Sequence, residues 1–315
     1  MIHPDYLTQG LQALARAHQV NPMCGHLGAA LVAATFIPEE APELPDGVWR
    51  GMEGQLDQIL EGKSVFSPRD NSPIGVRELF APFAAESPHI DLVPGIADAL
   101  RGNIDRPRQS GHNVIFASIA IRAFTEHPVW ATPSLVDGTR KLIAAFDGAH
   151  PGSGYYGKET GRINGNEVQL PDDESFPPYD NLETMAHVVV QELIQHGHEV
   201  RSGYGGLWHV INHAAALVEL DRYGYGELAV QGLPAHHTHV RLWRALPDLT
   251  DERGHETPSK HDPRAAAFWA PTQLVNERAH LTHRVKTLYG FLVLMRLITD
   301  ETIRANGWQA LRCLM

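Results

Sequence analysis

Cysteine is nearly missing from this chain: Cys24 and Cys313 are the only two in 315 residues. Their placement matches neither a zinc ribbon nor the disulfide framework of a small secreted domain, and a reducing compartment is the simpler expectation. Cys24 lies just ahead of His26 and could act as a ligand or nucleophile, although a small buried cysteine is more often inert. Clustered positive charge is missing too. Lys and Arg number 26 against 37 Asp and Glu, the net charge is −11 with His neutral, and no basic run stands out. Nucleic-acid binding draws on such runs to displace counterions, so that class of partner is not expected. No stretch approaches the roughly 18 apolar residues that span a bilayer, and residues 1–6 lack the basic region and apolar run of a signal peptide. The reading is a cytoplasmic protein with no membrane partner, a monomer or homodimer.

Sustained period-two alternation of β-branched residues is also lacking, which argues against strands and for an all-α chain. There is no His-Glu-x-x-His zinc-protease helix, no Gly-x-Ser-x-Gly elbow and no Walker-type phosphate loop. Gly152-x-Gly154-x-x-Gly157 matches the dinucleotide fingerprint as a string, but no strand precedes it and no parallel-sheet unit surrounds it. Asp172-Asp173-Glu174 sits among prolines and reads as solvated charge rather than a magnesium patch.

What is present is histidine, 19 of them, and several share one address, the opening turn of an apolar, alanine-rich helix. Gly25-His26-Leu27-Gly28-Ala29-Ala30, Gly111-His112-Asn113-Val114-Ile115 and Trp208-His209-Val210-Ile211-Asn212-His213 all follow this pattern. Segments 25–36, 111–124 and 206–220 are so apolar that as helices they must be buried all round, whereas 7–20, 47–61 and 134–146 carry one apolar face. Shorter helices are expected over 74–85 and 92–100, with further helices over 182–195, 227–231, 236–246, 263–281 and 282–305. Pro38 is expected to end the second helix. Inner and outer helices thus alternate, and the fold expected is a single all-α domain over 1–315 of repeated inner/outer hairpins, α/α toroid-like or an open ring. That layout resembles terpenoid cyclases and lanthionine-forming cyclases, but their acidic or Cys-rich motifs are absent and no residue role is carried over. Residues 149–180, rich in Gly and then Pro, form one long loop that could cover a cavity, with Tyr155 and Tyr156 as its ligand-contacting residues.

Neutral imidazole suits both metal ligation and proton transfer near neutral pH. His209 and His213, four apart on one helix face, are the first metal-ligand candidates, with His26 and His112 next. Asn113 and Asn212 could orient imidazoles. His112, Tyr155, Tyr156 and His239 are the catalytic candidates, His239 standing out of the His236-His237-Thr238-His239 cluster because it enters a helix. The bland alternative for each is a core histidine bonded to backbone. Glu277-Arg278-Ala279-His280, with His283 beyond it, has the Glu-x-x-His spacing of di-iron bundles, yet such sites need two motifs and only one occurs. His196-Gly197-His198 reads as a helix end. Three functions follow as expectations. The first is a metal-dependent enzyme, iron or zinc, acting on a small apolar organic molecule as an oxygenase/oxidase or a hydrolase/lyase. The second is a metal-free acid–base enzyme on a terpenoid or polycyclic substrate. The third is a non-enzymatic helical scaffold binding a ligand or peptide.

Overall fold

The computed structural model describes residues 1–255, 257–270 and 280–315. Among these it is predominantly helical, in the order α1 (Asp5–Ala17), α2 (Gly25–Glu40), α3 (Asp46–Leu60), α4 (Val76–Leu79), α5 (Pro94–Arg101), α6 (His112–Glu126), α7 (Pro133–Ala144), β1 (Ser153–Tyr155), β2 (Arg162–Asn164), α8 (Leu182–His196), α9 (Gly206–Arg222), α10 (Gly226–Arg244), α11 (Thr250–Arg253), α12 (His280–Met295) and α13 (Glu301–Leu311). No described helix is long and apolar enough to cross a membrane.

Four helices make the interior. α2 packs on α6, α6 on α9, α9 on α12 and α12 back on α2, closing a cycle. Their small apolar side chains are why they can be buried all round: Ala29 to Ala34 in α2 and Ala214, Ala215 and Ala216 in α9 are all buried. The amphipathic helices lie outside, α1 against α2 and α7, α3 against α2 and α12, and α8 and α10 against α9. The α1–α2 crossing is close because neither helix has a side chain there. A Cβ on Gly28 would lie 2.5 Å from the Gly10 carbonyl oxygen.

The inner helices carry polar groups at two opposite ends. At their N-terminal turns stand His26, His112, His209 and His283, one per helix. Toward their C-terminal ends Arg122 of α6, fully buried, binds Glu40 of α2 at 2.6 Å and Glu219 of α9 at 3.0 Å, while Tyr289 of α12 donates to Glu219 at 2.6 Å. The guanidinium also stacks on Phe36, 4.1 Å from the ring centre. Because all four helices begin at one end and finish at the other, they run in the same direction, and the outer elements return the chain.

Several boundaries differ from the sequence expectation. α2 runs through Pro38 to Glu40, because a proline in the last turn removes a single donor. The two helices expected over 227–231 and 236–246 are one, α10: the carbonyl that Pro234 leaves without a donor belongs to Val230, which is 59 % exposed and can be solvated. The helix expected over 74–85 is one turn, α4, since Pro82 ends it. Of the helix expected over 263–281, residues 263–270 hold a 3-10 turn, Ala266–Trp269, residues 280 and 281 belong to α12, and residues 271–279, with Glu277, Arg278 and Ala279 of the Glu-x-x-His motif, lie outside the described residues. The 149–180 segment holds a small antiparallel hairpin, β1 with β2, Gly154 opposite Ile163. Gly154 also bridges to Gly203, which ties the hairpin to the turn ahead of α9.

Candidate metal centre

The backbone decides which way each imidazole points. Ahead of α2 a 3-10 turn (Pro22–Cys24), capped by Asn21, turns the Met23 carbonyl oxygen to His26 Nδ1 at 2.9 Å. Ahead of α6 and α9 the chain runs left-handed instead: Gln109, Ser110 and Gly111 have φ of 44°, 63° and 83°, and Tyr204, Gly205 and Gly206 have 49°, 72° and 63°. Among the described residues, Gln109, Ser110 and Tyr204 are the non-glycine positions with positive φ, a conformation costing on the order of 1–3 kcal/mol each that persists where surroundings enforce it. Each run aims a carbonyl at a histidine. The Gln109 oxygen meets His112 Nδ1, and the Gly205 oxygen meets His209 Nδ1 at 2.7 Å.

A carbonyl oxygen only accepts, so all three rings carry their proton on Nδ1 and a lone pair on Nε2. Those lone pairs converge. His112 Nε2 is 3.0 Å from His26 Nε2 and 3.0 Å from His209 Nε2. Two acceptors that close repel unless a cation or a shared proton lies between them. Burial disfavours the proton. Desolvation, followed by Lys286 and the neighbouring rings, holds His26 and His283 far below the ordinary imidazole range, desolvation and His209 do the same for His112, and His209 is pushed down to about 3 by burial.

His283 completes the group. Among the described residues both of its buried ring nitrogens lack a hydrogen-bond partner, and its ring centre is 5.1 Å from that of His26 and 4.8 Å from that of His209. His26, His209 and His283 offer ligand atoms within 4.8 Å of one another and could hold a metal ion. His112, with Nε2 3.0 Å from the Nε2 atoms of His26 and His209, stands beside this trio. Aromatic side chains surround the four. Phe66 stacks on His26 at 3.7 Å, Trp208 on His283 at 4.8 Å, and Phe116 meets His26 edge-on at 5.6 Å. Phe66 and Trp208 are half-buried and form the outer side of the collar.

Lys286, one turn along α12 from His283, is 1 % exposed, with its amine 5.8 Å from the centre of the Phe116 ring. Desolvation holds its amine far below the ordinary lysine range. It lines a small cavity with Ile115, Ile119, Asn212, Tyr289 and Gly290, about 10 Å3 over the positions a water centre can occupy, room for a single water. Asn212 Oδ1 is buried there without a donor among the described residues.

The structure therefore brings together His26, His112 and His209 from the sequence candidates and adds His283 and Lys286. His213 lies a turn deeper on α9, packed against Gly111 and joined to His239 Nδ1 at 3.2 Å, outside the converging nitrogens. His239 gives its other nitrogen to the Tyr204 carbonyl oxygen at 2.8 Å. On the hairpin, Tyr155 reaches Glu252 at 3.3 Å and Tyr156 reaches the Tyr204 hydroxyl at 3.3 Å. Asn113 is committed to Asn103 at 2.9 Å, and the Asn212 amide to Thr287 at 3.5 Å, so neither bonds to an imidazole among the described residues. Cys24 is buried and its thiol is pushed up to about 11 by desolvation, which leaves it unreactive. Lys286 was visible in the sequence as one of two charges, with Arg296, inside the apolar run 285–298. Comparison with known protein families, with curated proteins and with solved structures gives no match for this chain.

Proposed function

We propose that the chain is a metal-dependent enzyme in which His26, His112, His209 and His283 hold a divalent first-row transition ion, iron in preference to zinc, and that it acts on a small apolar organic molecule. The observation that carries this reading is the convergence of three Nε2 lone pairs, each fixed by a backbone carbonyl. The choice of ion rests on spacing. Two nitrogens bound at about 2.1 Å to one ion are about 3.0 Å apart at right angles and about 3.4 Å apart at the tetrahedral angle. The 3.0 Å separations favour right angles, hence five or six coordination with positions left open, rather than a closed tetrahedral zinc site. Imidazoles without a carboxylate suit iron better than magnesium or calcium.

When bound, such an ion supplies dioxygen activation or Lewis acidity. The protein's part is to orient the imidazoles through the three carbonyls and to exclude water with Phe66, Phe116 and Trp208. The ring of inner helices with outer partners is read as α/α toroid-like, its helix N-termini gathered at the site, where their dipoles favour an electron-rich ligand beside the ion. Metal-free acid–base catalysis is the weaker reading, because imidazoles pushed down to about 3 accept protons poorly at neutral pH.

Elemental analysis of protein bearing no histidine tag tests the proposal. About one iron per chain, lost in His26→Ala and His209→Ala variants that keep the helical circular dichroism of the parent, is expected. Zinc in its place would move the reading to hydrolytic or lyase chemistry, and a chain with no affinity for either ion would end it.

A further inference from the structure

The histidines that the metal centre leaves unused form a second buried group. His213, His236 and His239 are each 0 % exposed, and their ring centres are 5.1–6.3 Å apart. Their tautomers follow from their partners. His239 Nε2 faces the Tyr204 carbonyl oxygen at 2.8 Å and must donate to it, so its Nδ1 is a lone pair. His213 Nδ1, 3.2 Å from that lone pair, must therefore be the donor. A directed chain results: His213 donates to His239, and His239 donates to Tyr204.

This chain joins the two left-handed turns that orient the ligands. One end, His213, stands against Gly111, so close that a Cβ there would come within 2.6 Å of the ring, and Gly111 ends the run that aims the Gln109 carbonyl at His112. The other end holds the carbonyl of Tyr204, whose successor, Gly205, supplies the carbonyl that fixes His209. We propose that His239, acting with His213, is a positioning residue for the metal centre: it clamps the Tyr204–Gly206 turn in its left-handed form and so sets the tautomer and direction of His209. The inference rests on the metal-site reading above. Outer partners of metal-bound imidazoles act this way, and losing one weakens binding about 10–100-fold.

Two variants separate positioning from simple packing. In His239→Gln the amide nitrogen reaches about as far as Nε2 and can still donate to Tyr204, whereas in His239→Asn the shorter side chain cannot. Cobalt(II) is the probe, titrated against a competing chelator and followed by its visible spectrum. His239→Asn is expected to bind about 10–100-fold more weakly with an altered spectrum, and His239→Gln to stay within about threefold of the parent. Equal affinity and spectrum in His239→Asn, or equal weakness in both variants, would overturn the proposal. Nitrogen-15 NMR of the metal-free proteins provides a readout independent of binding. His209 should hold a single Nδ1–H tautomer in the parent and in His239→Gln, and a mixture in His239→Asn; a single tautomer in all three would also refute the clamp. Should the parent bind no cobalt, the metal reading falls and the NMR result still decides the positioning role.

Discussion

Glycine at 205 does two things that no other residue can do there. Its φ is +72°, and a Cβ would come within 2.2 Å of the His209 ring. Gly205→Ala therefore incurs the left-handed backbone cost of about 1–2 kcal/mol and also pushes the imidazole off its carbonyl. Gly224 is the control, since its φ is +89° but a Cβ there meets nothing within 4 Å. We expect Gly224→Ala to lose about the backbone cost alone and Gly205→Ala to lose more in urea, and only Gly205→Ala to lose metal affinity, by tenfold or more. Equal affinities would sink the argument that the turn orients the ligand. At this scale the sequence was partly legible. Gly25-His26, Gly111-His112 and the Gly205-Gly206 pair before His209 mark helix starts, so three ligands could be read from local pattern. His283 could not, because its place depends on α12 docking between α2 and α9. Nor could the tautomers be read, because they are set by carbonyls whose direction exists only after the turns have formed.

For the helices, legibility follows burial. Segments of small apolar residues announced α2, α6 and α9 as interior helices, since a helix without a polar face has nowhere else to go. What they bury besides hydrocarbon was harder to read. Arg122, Glu219 and Lys286 are buried charges within largely apolar helices, and a sequence cannot say whether such a group finds a partner or stays neutral. Arg122 and Glu219 find each other at 3.0 Å, with Glu40 and Tyr289 joining, so all four inner helices are fastened at the end away from the histidines. Removing the cation leaves Glu40, 5 % exposed, and Glu219, 1 % exposed, without their main counter-charge. Arg122→Met should destabilise the chain by about 3–5 kcal/mol, the range for breaking a buried pair from one side. Urea unfolding followed by circular dichroism measures it. A loss below about 1 kcal/mol would mean that Arg222 and Arg296, which also approach these carboxylates, suffice to neutralise them.

Across the whole molecule the buried imidazoles couple folding to pH. Burial pushes His236 down to about 3 and His239 to about 4, and holds His213 far below the ordinary value of 6.5. In the unfolded chain each regains that ordinary value. Between the two values the unfolded state binds more protons than the folded one, so stability rises with pH through this window, is complete above about pH 6.5, and is lost as pH falls. Each such group contributes about 1.4 kcal/mol per pH unit below 6.5, so these three together remove about 4 kcal/mol per unit, against a typical total of about 5–15 kcal/mol. The ligand imidazoles His26, His112, His209 and His283 are depressed in the same direction and steepen the fall. Metal-free protein should therefore melt at nearly constant temperature from pH 8 to pH 7 and lose its cooperative transition by about pH 5. Bound metal should not rescue it there, because protons compete for the same nitrogens. A melting temperature in metal-free protein unchanged between pH 7 and pH 5 would show that these imidazoles are charged or hydrated in the folded state. That result would also remove the argument that their lone pairs face one another bare.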